Sequence, residues 1–142
     1  MNSVCVRCAA FAVLGLAVLA LSSSSATSAD KDKVTPIKEI MAKAHKGGNS
    51  ILGSLKTALA KKDDVKWDSV ESKVKDLVLL AGDLTKNTPK KGEKESWEKL
   101  TTAYEKDAKA LLTAAEKKEY DDAKKSLSAL SDSCKGCHSV HR

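Results

Sequence analysis

The chain has 142 residues, of which 42% are apolar, 31% charged and 4% aromatic, with seven glycines and two prolines. That profile excludes a collagen-like chain, a disulfide-dense mini-protein and a disordered acidic tail. A formal charge of +6 arises from 25 basic and 19 acidic residues. The lysines are spread along the whole chain and gather into no groove-reading block, which argues against nucleic acid as a partner.

Met1 to Cys8 carries a single charge, Arg7; Ala9 to Leu21 is an apolar run of 13 residues; Ser22 to Ala29 is small and polar. A basic start, an apolar middle and a small-residue end form the layout of a cleaved secretory signal peptide over residues 1–29. Thirteen helical residues span roughly 20 Å, short of the ~30 Å hydrocarbon core, so no stable membrane insertion is expected after cleavage. Removal after Ala29 leaves 113 residues, 30–142, as one domain with net charge +5. Cys5 and Cys8 leave with the signal, and Cys134 and Cys137 remain.

The mature chain opens on a short polar lead-in, Asp30 to Lys33. Thr35-Pro36 reads as a helix start, with Thr as N-cap and Pro at the first helical position. Ile37, Ile40, Met41, Ala44, Ile51, Leu52, Leu55 and Leu59 then recur at helical spacing, interrupted by Gly47-Gly48-Asn49. The interruption predicts either a bend or a place where a neighbour comes close. A second stripe holds Trp67, Val70, Val74, Leu77, Val78, Ala81 and Leu84 and stops at Asn87-Thr88-Pro89. A third holds Trp97, Leu100, Tyr104, Ala108, Leu111 and Ala115; a fourth holds Tyr120, Ala123, Leu127, Leu130, Cys134 and Cys137. No segment alternates as a strand does. Four amphipathic helices with short connections predict an all-α, antiparallel four-helix bundle, each stripe facing one axis. Its core would be thin, and a large apolar prosthetic group would help to fill it.

Cys134-Lys135-Gly136-Cys137-His138 is Cys-x-x-Cys-His, the attachment sequence of c-type haem. On a helix these three functional residues stand at i, i+3 and i+4 and share one face. The two thiols can each add to a haem vinyl group, leaving His138 to meet the iron as proximal ligand. The competing readings are a disulfide in an exported protein and a zinc site made with His141. A redox dithiol would want strands around it, and four zinc ligands within nine residues lack the usual spacing.

A helical chain that ends in this motif, followed two residues later by a ring-bearing residue and Arg, resembles the cytochrome c′ and cytochrome c-556 family. Ala114 to Arg142 looks like that family's last helix turn, short loop and haem-bearing helix. The resemblance implies a four-helix bundle holding one covalent haem c, His138 as proximal ligand and frequent homodimerisation. Two positions depart from the pattern: His141 stands where the family usually has Tyr, and Lys38 lies near where the first helix usually has Arg.

In this family the residue facing the iron comes from the start of the first helix. A methionine there gives a six-coordinate electron carrier, and a non-ligating residue gives a five-coordinate haem open to nitric oxide or carbon monoxide. Met41 lies about 40° from the centre of the first apolar stripe and His45 about 80°. Met41 is therefore expected inward as distal ligand, with His45 on the shoulder, reading as a half-exposed surface histidine. One helical turn, ~5.4 Å, separates them, so one but not both could stand over the iron. His141 is expected at the haem edge or in solvent near the chain end, and Arg142 either on a propionate, by analogy with the family, or in solvent. Trp67, Trp97, Tyr104 and Tyr120 read as core and haem-packing residues. The functional expectation is a periplasmic, non-enzymatic electron carrier that meets redox partner proteins through brief, charge-assisted encounters. A gas-binding haem protein is the alternative.

Overall fold

The computed structural model describes residues 33–142, so the expected signal peptide, with Cys5 and Cys8, lies outside the described residues. The helices are α1 (Ile37–His45), α2 (Ile51–Ala58), α3 (Trp67–Lys86), α4 (Lys94–Glu116) and α5 (Tyr120–His141), with a 3-10 turn over Lys62–Asp64. No strand occurs among the described residues. The expected all-α bundle is what forms, with α1 and α2 together filling the place of its first helix.

The long helices bury the stripes read from the sequence. Val70, Val74, Leu77, Ala81 and Leu84 face inward from α3; Tyr104, Ala108, Leu111 and Ala115 from α4; Ala123, Leu127 and Leu130 from α5. Burying a leucine in this way contributes roughly 2 kcal/mol. α4 is the central element, packed against α3 on one side and α5 on the other. It ends in a Schellman motif: Glu119 N–H donates to Ala114 O at 2.9 Å and Lys118 N–H to Ala115 O at 3.0 Å. Lys118 takes the left-handed conformation, φ 58°, that this motif requires.

The glycine interruption breaks the first helix outright. Gly47 turns the chain at φ 84°. Ser50 restarts it: its Oγ donates to Gly47 O at 2.6 Å and accepts from Gly53 N–H at 3.2 Å, capping α2. Gly53 completes the device. A Cβ there would lie 2.6 Å from Gly48 O and 2.7 Å from Gly47 O, so only glycine lets the turn fold back onto α2.

Thr35 is not the N-cap. That position belongs to Pro36, whose carbonyl accepts from Glu39 N–H and Ile40 N–H. Thr35 instead reaches across the bundle, its N–H and hydroxyl both donating to Asp83 Oδ2 of α3 at 3.1 and 2.7 Å. Asn87 Nδ2 donates back to Thr35 O at 2.9 Å. A partner 48 residues away has taken the hydroxyl that local capping would have used. These three bonds fix the start of α1 against the end of α3.

At the opposite end, Tyr120 Oη donates to Leu59 O at 2.9 Å, tying the start of α5 to the end of α2. Among the described residues no helix is long and apolar enough to cross a membrane.

Candidate haem site

At the open end of the bundle α1, α4 and α5 enclose a cavity of about 400 Å³. α1 supplies Ile37, Met41 and His45; α4 supplies Trp97, Leu100, Thr101 and Tyr104; α5 supplies Ser133, Cys134, Cys137, His138, His141 and Arg142, with Leu84 contributed by α3. The size lies in the usual range for cofactor sites. The walls are mostly apolar, and no Asp or Glu side chain lines them.

The motif residues behave as the helical spacing requires. Cys134 and Cys137 are free thiols, half-buried on the cavity wall. Cys134 Sγ–H donates to Leu130 O at 3.5 Å. Burial, and then the neighbouring Cys134, pushes the Cys137 thiol up from its ordinary range. His138, one residue on, stands at the exposed rim of the same cavity.

Both distal candidates reach the site. Met41 is half-buried against the core, as its place on the stripe predicts. His45 is half-buried too, and from its shoulder position it reaches the cavity wall. Its Nε2 shares a 3.2 Å hydrogen bond with Tyr104 Oη, and its Nδ1 lies 3.9 Å from Cys134 Sγ. The two rings meet at a tilt of 47°, centroids 5.7 Å apart. Burial, followed by the charge of His138, lowers the His45 pKa, which favours the neutral imidazole. Burial also raises the Tyr104 phenol, so it stays protonated.

His141 is half-buried on the cavity wall. Its Nδ1–H donates to Lys91 O at 2.8 Å, and Ser96 Oγ–H donates to Nε2 at 3.2 Å. Its ring stands edge-on to Trp97, centroids 5.3 Å apart and planes at 81°. With both nitrogens engaged, His141 has no lone pair for zinc. Among the described residues no group of three or more His, Cys, Asp or Glu side chains is placed to hold a metal ion by itself. Arg142 lies exposed at the mouth of the cavity. Trp97 is 4% exposed, and its Nε1 has no hydrogen-bond partner.

A model of the cytochrome c′ family matches residues 43–142. The chain belongs to the cytochrome c′ family. It is therefore a haem-binding c-type cytochrome, of a family whose proteins are generally non-enzymatic and typically periplasmic. No match was found among curated proteins or among solved structures. The family match takes in Cys134, Cys137, His138 and His45 but begins two residues after Met41.

The site fits the cofactor that the family implies. Two unpaired thiols and an imidazole occupy one wall, and a thioether and a second imidazole stand on another. The lining is apolar enough for a macrocycle, and a buried N–H remains without an acceptor. Sequence reasoning placed Tyr104 and Trp97 in the core but did not pair them with His45 and His141. Each pairing depends on the register between helices far apart in sequence, and no local pattern encodes it.

Proposed function

We propose that this cytochrome carries single electrons through one haem c, thioether-linked at Cys134 and Cys137, with His138 and Met41 as axial ligands. The observation that carries this reading is the convergence of Met41 from α1 with Cys134, Cys137 and His138 from α5 on one apolar cavity. When bound, the haem supplies the one-electron couple. The protein's part is to hold that group rigidly and dry. Ile37, Leu84 and Leu100 exclude water from its faces, and a Met41 thioether favours the ferrous state, raising the potential. Filling both axial positions leaves no site for a substrate. Export by the segment 1–29 would deliver the chain to the periplasm, where its dispersed lysines suit brief encounters with acidic redox proteins.

A second reading, a five-coordinate haem that binds nitric oxide or carbon monoxide, is favoured by the His45–Tyr104 pair. Those two polar groups are held beside the distal space and would suit a bound diatomic molecule. Optical spectra of the purified ferric and ferrous protein decide between the two. A low-spin ferric spectrum with the weak far-red band of methionine–iron ligation, and no response to carbon monoxide, is expected. Met41→Ala should convert it to a form that binds carbon monoxide. A high-spin wild type that already binds carbon monoxide would overturn Met41 ligation in favour of the second reading.

A further inference from the structure

We propose that the Trp97 indole N–H is a built-in hydrogen-bond donor to a carboxylate of the haem, held in aim by His141. This rests on the haem reading above and adds a role for a residue of α4, outside the attachment motif. Among the described residues Trp97 Nε1 is the one buried side-chain nitrogen or oxygen without a partner. An indole nitrogen can only donate, and a buried donor left unpaired is destabilising. The structure offers it no acceptor of its own. No Asp or Glu side chain lines the cavity, and among the described residues no acceptor forms a hydrogen bond with Nε1. A porphyrin is apolar over most of its surface, and its strong acceptors are the two propionate carboxylates. In such a site a carboxylate needs donors as much as the indole needs an acceptor.

Position agrees with chemistry. Tyr104 of α4 shares His45 with Cys134 of α5, and Trp97 of α4 meets His141 of α5. On each helix the two positions are seven residues, about 10 Å, apart. The Trp97 end of the cavity is therefore removed from Cys134 by about the width of a macrocycle, and the propionates lie across the ring from the vinyl groups that cysteines capture.

The indole is also fixed. His141 stands edge-on to it and is anchored through Lys91 O on the loop before α4 and through Ser96 in the first turn of α4. Gly92, at φ 79°, makes room for this: a Cβ there would fall 2.5 Å from His141 Nδ1. An orphaned donor on a clamped ring is pre-organised for its acceptor, so binding costs little further ordering.

The test compares wild-type holoprotein with Trp97→Phe, which keeps the ring's bulk and removes the donor. The reduction potential is followed against pH to find the propionate transition. Loss of one charge-assisted bond should raise the proton affinity of that carboxylate about tenfold, moving the transition up by about one pH unit. A second measurement needs no variant: the indole N–H resonance of the wild type should be shifted downfield and exchange slowly with deuterium. Superimposable titrations, or an indole N–H that exchanges like a solvated one, would overturn the proposal while leaving the haem in place. Mass spectrometry of the same samples separates the two levels, since absence of covalent haem from the wild type would sink the haem reading itself.

Discussion

Replacing Gly53 by alanine tests how the first helix is broken and what the break does for the site. In an ordinary helix interior the change would stabilise by about 1 kcal/mol, because alanine loses less freedom on folding. Here the new Cβ would meet Gly48 O at 2.6 Å and Gly47 O at 2.7 Å, against 3.4 Å for an ordinary contact. The turn would have to retreat by about 0.8 Å, yet it is pinned by the 2.6 Å bond from Ser50 Oγ to Gly47 O and by the left-handed Gly47. Both obstructing atoms are backbone, so no rotamer change relieves the overlap. Overpacking of this kind costs about 1–3 kcal/mol, and subtracting the propensity gain leaves a net loss of about 1–2 kcal/mol. Thermal unfolding followed by circular dichroism should show a Tm lower by roughly 5–10 °C. Gly48→Ala is the control: a Cβ there meets nothing within 4 Å, so Tm should stay within a degree or two of the wild type. Because α1 leads into that turn, Gly53→Ala should also disturb the ferric spectrum, as Met41 moves with its helix. An unchanged or raised Tm for Gly53→Ala would refute the packing argument.

Asp83→Ala should cost about 1 kcal/mol at neutral pH, since the carboxylate accepts two bonds from Thr35 and is 22% exposed. Those bonds, chiefly the hydroxyl's, lower the Asp83 pKa, so its contribution is complete above the ordinary carboxylate range and is lost as pH falls through the folded value. Urea unfolding of both proteins should therefore begin to converge as pH falls below about 4 and coincide only below the lowered folded value; a difference that did not shrink below about pH 4 would contradict this. Lys118→Gly should stabilise by about 0.5–1 kcal/mol, because glycine occupies the left-handed C′ position without a steric cost; a lower urea midpoint would count against the Schellman assignment. Cys137→Ala should leave at most one thioether and impair maturation, measured as a fall in the yield of covalent haem by mass spectrometry; normal yields would contradict the attachment site.

The three long helices and their buried stripes were legible because each is a local periodic signal. Val70 through Leu84 and Tyr104 through Ala115 are buried as their spacing requires. The attachment motif was legible for the same reason, its three residues sharing one face over little more than one turn. What the sequence withheld is long-range. Thr35 looks like a cap, and only the fold supplies Asp83 as a better acceptor. Gly47-Gly48 marked the interruption, but the residue that makes it tight is Gly53, which looks like an ordinary helical glycine. His45 is half-buried, as its place on the shoulder of the stripe suggests, but its partner Tyr104 comes from another helix and has no local signal. His141 was read as a chain-end residue, although its partners Lys91, Ser96 and Trp97 were all present.

The nine residues of α1 bury only Ile40 and Ala44 fully, and are secured by polar tethers around Thr35 and by the Ser50 turn. The opposing wall belongs to α5, backed along its length by α4. A small opening fluctuation can therefore swing the upper wall aside while the lower stays folded. The two faces of the cofactor would then differ in how readily solvent or a visiting molecule reaches them, and that asymmetry comes from how the chain is tethered, whichever side chain stands above the metal.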